Sequence, residues 1–374
     1  MILFLHNRYR TPGGEERVVE DLAWLVRERL GEDAEVLERD SAALGRARAA
    51  IGLLRGGLDP DDVAAAVRRT GARIVHAHNL HPALGWRALR AAREAGAKTV
   101  LHLHNYRLVC AVGTCVNPAG EDCTRCHGRD TRPGVRLGCR GSRGEAVTYA
   151  LGLAAQQRRL VAEADVLVVP SAAARARLIA LGAPGAEGAH VLGHVVRDFA
   201  GAPPPAAARR GALVVSRLAP EKAVDVAIAA AARAGLPLTV CGDGPLRDEL
   251  RALAREAGAD VAFTGRVRAA ELAELRARHA VALVTSRAHE TFGLAALEAL
   301  AAALPVAATG VGALAELEGD AALAPRDDPA ALAAAATRLL ADPGAPAAAL
   351  AAARRRAAPE VVAPRLAELY TNVA

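Results

Sequence analysis

Two glutamates with a spacing of eight residues are candidates for binding a polyhydroxyl ligand. Glu290 and Glu298 follow an apolar segment and belong to a run that leads into a predicted helix. An ionised carboxylate only accepts hydrogen bonds, so two of them suit the vicinal hydroxyls of a sugar. Backbone N–H groups of Thr291, Phe292 and Gly293 would begin this helix, where an anionic group is favoured. The alternative is an ordinary helix with one glutamate near its start and one on a solvated face.

A second cluster places two cations around a turn directly after another predicted strand. Arg217 offers a planar fork and Lys222 a compact ammonium, and together they suit a diphosphate. Lys98 and Lys222 are the only lysines among 47 basic residues, which favours a need for the smaller group at position 222. The alternative is a helix start in which Glu221 and Lys222 are simply solvated. The nearby run Cys241–Pro245 predicts a tight structural turn.

In the first half of the chain, histidines gather at the ends of two predicted neighbouring strands. They are His76, His78, His81, His102 and His104. Strand alternation points His102 and His104 to the same side of the sheet, and His104 ends its strand. The alternative is a set of satisfied core histidines. Gly13 and Gly14, after the first strand, would let backbone N–H groups approach a phosphate or a sugar.

Some nucleotide motifs are missing from the sequence. No G-x-G-x-x-G follows the strand at 2–6, and no G-x-x-x-x-G-K-[ST] occurs. These absences argue against nicotinamide cofactors and against P-loop nucleotide hydrolysis.

Five of the six cysteines lie between positions 110 and 139. In a cytosolic chain this density favours a metal site or a thiol-rich loop over a disulfide scaffold. Cys110, Cys115, Cys123 and Cys126 form the candidate tetrahedral zinc set, which includes one C-x-x-C; His127 and Cys139 are further potential partners. Free thiols and disulfides remain the alternatives.

Apolar strands alternate with helices twice along the chain, which predicts an α/β fold with two Rossmann-like parallel-sheet domains. The predicted strands are 2–6, 73–78, 99–104, 165–170, 190–195, 212–216, 236–242, 260–265, 280–286 and 304–309. A Pro- and Gly-rich linker at 201–210 separates a domain at 1–200, with its Cys-rich insert at 110–139, from a domain at 206–355. A helix over 356–374 is then available to cross back to the first domain. Ligands of such folds bind beyond the carboxyl ends of the strands.

Composition and charge limit the classes of binding partner and the cellular location that we expect for this chain. The chain has 374 residues, 52% hydrophobic, and a net charge of +6, which excludes disorder and fits two domains with real cores. It carries no zinc-finger histidine pair and no aromatic RNA-binding motif, so we expect no nucleic acid partner. No window approaches the roughly 18–20 apolar residues of a membrane span, and Arg8 comes too early for a signal peptide. We expect a cytoplasmic protein, with peripheral contact at the inner membrane surface as the alternative.

Taken together, the motifs resemble those of the retaining glycosyltransferases of family 4, which have the GT-B fold. The matching runs are ETFGLAALEAL, SRLAPEK, GDGPLRDEL, FTGRV and the N-terminal PGGEE loop, and they cover nearly the whole chain in the expected order. The resemblance implies two Rossmann-like domains that face a central cleft.

The resemblance also implies roles for individual residues. Glu290 would contact the donor sugar's hydroxyls and Glu298 the nucleotide ribose, while His104 would lie near the reacting carbon. Arg217 and Lys222 would stabilise the diphosphate as a leaving group, because preorganised cations meet its developing charge. The donor-binding set would be Gly13, Gly14, Arg266, Val267, Thr291, Phe292, Gly293, Leu294 and Glu298.

The implied reaction needs no cofactor and no catalytic metal, because the leaving phosphate itself takes the acceptor's proton. The donor would be a nucleotide-diphosphate sugar of the UDP or GDP type. The acceptor would be a saccharide, a lipid-linked molecule or a small metabolite, in surface polysaccharide, glycoconjugate or secondary-metabolite assembly. The alternatives are a catalytically silent partner subunit that binds nucleotides, an epimerase or phosphorylase on the same fold, and a basic membrane-surface adaptor.

The sequence departs from the family pattern at three places. Ala223 and Ala303 stand where glycine is usual, and the usual Gly-Gly pair after the last strand becomes Gly310-Val-Gly312. We therefore expect altered loop geometry there, with an effect on donor binding more than on the type of reaction.

Overall fold

The computed structural model describes residues 1–9, 13–205 and 208–373. Three predictions extend outside these ranges: part of the N-terminal PGGEE loop, the start of the second domain together with part of the linker, and the last residue. The chain divides into two compact units. The first contains Met1–Ala119, Cys123–Val195 and the C-terminal residues from Pro359, and the second contains Gly120–Asp122 and Val196–Ala358.

The first unit is built on a parallel six-stranded sheet in the order β2-β1-β3-β4-β5-β6. Its strands are β1 (Ile2–Arg8), β2 (Ala34–Asp40), β3 (Ile74–Ala77), β4 (Lys98–His102), β5 (Val166–Val169) and β6 (His190–Val191). Ile2, Leu3, Phe4 and Leu5 are completely buried, as expected for a parallel strand covered on both faces. The chain changes direction across the sheet between β1 and β3, so ligands of this unit are expected at the ends of those strands.

The helices of the first unit cover this sheet. They are α1 (Gly14–Leu30), α2 (Arg46–Arg55), α3 (Pro60–Thr70), α4 (Gly85–Glu94), α5 (Arg132–Arg136), α6 (Arg143–Ala162), α7 (Ala172–Ala180) and the C-terminal α14 (Pro359–Val373). Ser142 caps α6 by accepting from the Glu145 backbone N–H, and such caps satisfy donors that the first turn leaves open. The helix α14 belongs to this unit, where the Tyr370 hydroxyl lies 2.8 Å from His76 Nδ1.

The second unit has its own parallel six-stranded sheet, in the order β12-β11-β10-β7-β8-β9. Its strands are β7 (Ala212–Val215), β8 (Leu238–Cys241), β9 (Val261–Gly265), β10 (Val281–Val284), β11 (Val306–Thr309) and β12 (Ala322–Ala324). Its helices are α8 (Val224–Ala234), α9 (Arg247–Glu256), α10 (Ala269–Arg278), α11 (Leu294–Ala301), α12 (Pro329–Ala341) and α13 (Ala345–Ala357). The strand order reverses between β7 and β10, so this is where the unit is expected to bind a ligand.

The predicted pair of parallel α/β domains is confirmed by the two sheets. The chain passes from the first unit to the second between Val195 and Val196, before the predicted linker. The last helix begins at Pro359. Within the described ranges, no helix is both long enough and apolar enough to cross a membrane.

Candidate functional site

The second unit brings Lys222 and Glu290 together at its switch point. The strands β7 and β10 are paired, and the segments that follow them carry these two residues. Lys222 Nζ lies 2.6 Å from Glu290 Oε1. The two residues were selected from sequence as parts of separate clusters, and the fold joins the clusters into one.

Glu290 is held as an ionised hydrogen-bond acceptor. The Ser286 hydroxyl lies 3.0 Å from Glu290 Oε1, the same oxygen that pairs with Lys222. Burial alone would raise the pKa of Glu290, but the charge and hydrogen bond of Lys222, the Ser286 hydroxyl and the charge of Arg217 outweigh burial and lower it. The carboxylate therefore suits the role of accepting hydrogen bonds from hydroxyls. Ser286 is a member of the site that sequence reasoning did not single out.

A glycine fixes the backbone around Glu290. Gly312 has a φ of +57°, and a Cβ there would stand 2.5 Å from the Glu290 carbonyl oxygen. The next residue, Ala313, donates its N–H to that carbonyl oxygen at 2.8 Å. Of the two glycines in Gly310-Val-Gly312, the second is therefore the one that the site requires.

Arg217 belongs to the same cluster of charges. It forms an ion pair with Glu221 and lies close enough to Glu290 to lower the pKa of that carboxyl. Its loop is packed against the turn after β8, because a Cβ at Gly242 would meet the Ser216 carbonyl oxygen at 1.8 Å. This glycine turn therefore has the structural role that the sequence suggested, and it positions Arg217.

Glu298 lies on α11 and is paired with a cation that the sequence analysis missed. Its carboxylate forms an ion pair with Arg276 of α10, and each side chain is 11% exposed. Two largely buried partners hold each other in place, since leaving either charge unpaired would be costly. A basic residue on α10 gives no signal in sequence, because nothing in the spacing shows that it faces α11.

The remaining donor-binding candidates of the second unit lie in two places. Gly293 caps α11 with a φ of +81°, directly after Thr291 and Phe292 and before Leu294, the first residue of the helix. Arg266 and Val267 follow β9, at the edge of the sheet and two strands away from β7. Arg266 is exposed, whereas Val267 packs against the apolar core of this unit.

Two alanines occupy turns that favour glycine. Ala223 has a φ of +48° and Ala303 a φ of +55°, both in the left-handed region. Each residue adopts a turn of the kind that glycine favours, and the expectation of an altered loop geometry stays a prediction. The cost is backbone strain, on the order of 1–2 kcal/mol for a residue with a Cβ.

In the first unit the histidines form a stack, which confirms that His102 and His104 share one side of the sheet. Their ring centroids are 4.2 Å apart. His78 continues the stack at 4.9 Å from His104, and His76 lies 4.7 Å from His78. His194, which the sequence analysis did not select, lies 5.1 Å from His104.

Burial keeps these imidazoles neutral. It lowers the pKa of His76 and of His194 to about 3, because the charged form loses its hydration. The pKa values of His78, His102 and His104 are also well below the ordinary value, through burial first and then through the charge of neighbouring imidazoles. At neutral pH the stack therefore offers hydrogen-bonding groups without charge.

Three members of the stack have the proximity of a metal site. His78, His102 and His104 each offer a ring nitrogen within 4.8 Å of a ring nitrogen of the other two. Among the described residues, this is the one group of three metal-ligating side chains with such proximity. However, His78 Nδ1 and His104 Nε2 lie 2.7 Å apart and share a hydrogen bond. Two of the potential ligand atoms are therefore satisfied by each other.

The glycine pair after β1 is already engaged by a carboxylate. The N–H of Gly13, expected to approach a phosphate, donates to Glu16 Oε2 at 2.7 Å, and Gly14 begins α1. Burial would raise the pKa of Glu16, but hydrogen bonds from His6 and from the backbone lower it to about 2. A phosphate at this position would have to displace Glu16.

All six cysteines are free thiols. The predicted zinc ligands and Cys139 line one cavity in the first unit, whose wall is formed by Cys110, Ala111, Val112, Cys115, Val116, Cys123, Cys126, Gly134, Leu137 and Cys139. His127 lies outside this wall, with its imidazole against Gly182.

Both units match models of known protein families. Residues 7–193, half of the chain, match the model described as a glycosyl transferase 4-like domain. Residues 209–342 match the model described as glycosyl transferases group 1.

The relatives include the glycogen synthases of two Mycobacterium tuberculosis strains, CDC 1551 and H37Rv. Each is 37% identical over 203 residues, which are 50% of this chain and 48% of the relative, so the match spans about half the length of these relatives. Sucrose-phosphate synthase from Thermosynechococcus elongatus has a TM-score of 0.71 at 17% identity, over 100% of this chain and 99% of that chain. Anabaena HepE, crystallised with UDP and glucose, has a TM-score of 0.66 at 19% identity over 100% of both chains. At these identities the structural likeness shows the fold, and it confirms the GT-B class.

Proposed function

Because this chain belongs to the GT4-type glycosyltransferases, we propose that it is a retaining enzyme that moves a sugar from a nucleotide-diphosphate sugar to a hydroxyl acceptor. The observation that carries the proposal is the Lys222–Glu290 pair at the switch point of the second unit, with Ser286 on the same carboxylate oxygen. This cluster combines a cation that can bind a phosphate with a carboxylate that can accept hydrogen bonds from hydroxyls. Phosphates and sugar hydroxyls are both present in a nucleotide-diphosphate sugar.

Donor binding exchanges ion pairs within the second unit. Arg217 and Lys222 are each paired with a glutamate, Glu221 and Glu290 respectively. A diphosphate would draw both cations to its oxygens and leave Glu290 to accept hydrogen bonds from the sugar. Glu298, which Arg276 holds on α11, is proposed to bind the ribose. A UDP donor is supported by the Anabaena relative crystallised with UDP-glucose, and GDP is the alternative base.

The reaction we propose needs no protein nucleophile. The bond between the anomeric carbon and the diphosphate oxygen breaks, and the acceptor oxygen bonds to that carbon on the same face. The acceptor's proton passes to an oxygen of the leaving diphosphate, so charge and atoms balance. Arg217 and Lys222 stabilise the charge that develops on the leaving group, the role that a metal ion takes in other enzymes. His104, neutral at physiological pH, contributes a hydrogen bond to the reacting sugar.

A thermal-shift screen with UDP, GDP, ADP and TDP and their sugar conjugates tests donor binding, since a ligand of the native state raises Tm. We expect a shift with one nucleotide, lost in Lys222→Ala and retained in Lys98→Ala. Lys98 is the matched control because it is the other lysine of the chain, exposed at the start of β4. A shift that survives Lys222→Ala would refute the assigned diphosphate contact.

Activity variants test the individual roles. Glu290→Gln, Lys222→Ala and His104→Ala should each lower turnover by roughly two orders of magnitude or more, as for loss of a preorganised transition-state contact. Glu249→Gln, an exposed glutamate on α9, is the control and should stay active. Donor binding without turnover by the wild type, across saccharide, lipid-linked and small-molecule acceptors, would favour the silent partner subunit.

Three further measurements test the stereochemistry, the need for a metal and the cellular location. NMR of the product should show the anomeric configuration of the donor, and inversion would refute the retaining mechanism. Activity should survive EDTA if no catalytic metal takes part. We also propose a cytoplasmic location, supported by six free thiols, because reduced cysteines are typical of that compartment. Cell fractionation tests it, and recovery with the inner membrane would indicate peripheral contact.

A further inference from the structure

The Cys-rich insert of the first unit has little regular structure to hold it. Residues 103–142, all of them described, separate β4 from α6, and the five-residue α5 is the only helix or strand among them. Connections longer than about 12–15 residues without their own secondary structure are uncommon in compact domains. Yet Cys110, Cys115 and Cys126 are buried in this insert. Interactions outside regular secondary structure therefore hold the segment, among them the packing of Leu108 and Val109 in the core of the first unit.

The thiols converge although they come from distant parts of the insert. Cys110 follows β4, Cys123 and Cys126 lie mid-insert, and Cys139 comes after α5, yet all four line one cavity. Gly134 also lines this cavity, and no side chain fits at its position, because a Cβ there would lie 2.4 Å from the Ala111 Cβ.

The five thiols of the cavity differ in how many other thiols act on them. Cys139 feels the charge of Cys110, Cys123 and Cys126, and Cys126 feels that of Cys110 and Cys123. Cys115 hydrogen-bonds with Cys110, itself a member of this group, and interacts with Arg177 of α7. Cys115 therefore contacts one member of the group, Cys110, whereas Cys139 neighbours three of the thiols, which favours Cys139 over Cys115 as the fourth ligand.

We propose that Cys110, Cys123, Cys126 and Cys139 bind one structural zinc ion that holds the insert together. Four thiolates make a closed tetrahedral site, with zinc–sulfur distances of about 2.3 Å and no open position for catalysis. Each thiol gives up its proton to the solvent on binding, so affinity rises with pH. The side chains must turn inward to reach these distances, since no three of these sulfurs lie mutually within 4.8 Å in the described structure.

The backbone around the cavity is suited to support thiolates. The N–H groups of Ala111 and Gly134 hydrogen-bond with the Cys126 sulfur, and those of Val112 and Gly113 with Cys110. Hydrogen bonds of this kind favour the charged form of a ligand and orient it toward the metal. The inference does not depend on sugar transfer, because a closed site stabilises the fold whatever the reaction.

Metal analysis of the full chain, purified without chelator, tests the assignment. We expect about one zinc per chain in the wild type and in Cys115→Ser, and a loss of tenfold or more in Cys139→Ser under the same dialysis. Cys241→Ser, in the second unit, controls for cysteine removal as such. Equal retention by Cys139→Ser, or loss by Cys115→Ser alone, would overturn the choice of ligands.

A spectroscopic test uses the wild type and so does not depend on the folding of a variant. Zinc is exchanged for Co²⁺, and four thiolates should give the intense absorption of tetrahedral cobalt together with sulfur-to-metal charge transfer. Removal of the metal should lower Tm, and added zinc should restore it. An octahedral cobalt spectrum, or a wild type that neither carries nor takes up metal, would refute the proposal.

Discussion

The histidine stack predicts that the first unit loses stability between pH 6 and pH 5. His76 and His194 are 0% and 5% exposed, and burial lowers the pKa of each to about 3. In the unfolded chain each has a pKa of about 6.5, so below that pH the unfolded state binds protons that the folded state refuses. Their contribution to stability is therefore complete above pH 6.5 and is lost as the pH falls toward 3.

The expected loss can be stated for this window. Below the unfolded pKa, each further drop of one pH unit lowers the free energy of unfolding by up to about 1.4 kcal/mol for each such group. Lowering the pH from 6 to 5 therefore removes about 2 kcal/mol through His76 and His194 together. His78, His102 and His104 shift in the same direction and add to this loss. The window begins at the pKa of Cys110, which a hydrogen bond with Cys115 lowers to about 6, so protonation of that thiolate adds to the loss in the wild type and in histidine variants alike. It lies above the ordinary range of the carboxylates. Typical domains have about 5–15 kcal/mol in total, so the effect is large.

Tryptophan fluorescence can follow this unit alone. Trp24 and Trp86 are the only two tryptophans of the chain, and both lie in the first unit. Urea unfolding at pH 6.0, 5.5 and 5.0 gives the free energy of unfolding at each pH. His76→Gln, which does not titrate, should lose about 1 kcal/mol less over the window than the wild type, whereas the exposed His190→Asn should match the wild type. A wild-type stability that changes by less than about 0.5 kcal/mol would refute the neutral stack.

Three further substitutions test how the second unit positions its candidate site. Arg276→Gln should destabilise the second unit by about 3 kcal/mol and weaken nucleotide binding, because the largely buried carboxylate of Glu298 on α11 loses its partner. Chemical unfolding measures the first effect and thermal shift with nucleotide the second. An unchanged Tm would contradict this prediction. Ala303→Val should cost roughly 2 kcal/mol or more, since a β-branched residue is strained at a φ of +55°, while Ala303→Gly should stay within about 1 kcal/mol of the wild type. Gly242→Ala should reduce both stability and activity because its Cβ would meet the Ser216 carbonyl at 1.8 Å, whereas Gly201→Ala, with nothing within 4 Å and no left-handed backbone, should affect stability only slightly; equal effects would refute the packing argument.

Periodicity predicted the buried strands better than the elements around them. The strands of the second unit at 212–215 and 281–284 are short apolar runs, and each falls inside its predicted range. The strand β2 was missed because its sequence AEVLERD mixes charges with apolar residues and none of its positions is buried. The helix α6 was missed because apolar and small residues are spread around it without a clear apolar face. The strand β2 has no buried position to mark it. The helix α6 has one buried face, but its residue types do not mark that face, since Gln156 and Gln157 are buried while Leu151 is exposed.

The candidate site was predictable in its residue types but not in its pairings. Glu290, Lys222 and Arg217 were recognisable because their loops follow apolar strands and carry a spacing that suits sugar and phosphate chemistry. Ser286 and Arg276 were not, since a hydroxyl or a guanidinium gains its role only from the side chain that the fold places opposite. The same limit applies to Gly13, whose N–H is taken by Glu16 three residues later.

The pairings also explain why a lysine suits position 222. In the described structure its ammonium already has a carboxylate partner at 2.6 Å, so the proposed donor binding would require it to change partners within a small volume. An ammonium is a point charge on a flexible stem and can turn from one oxygen to another, whereas a guanidinium forms a planar, two-pronged contact that is lost as a unit. Arg217 pairs with Glu221 at an exposed position, where the larger group has space to swing. A chain that uses arginine for nearly all its positive charge thus places its compact cation beside a half-buried carboxylate, where we propose that the cation changes partners.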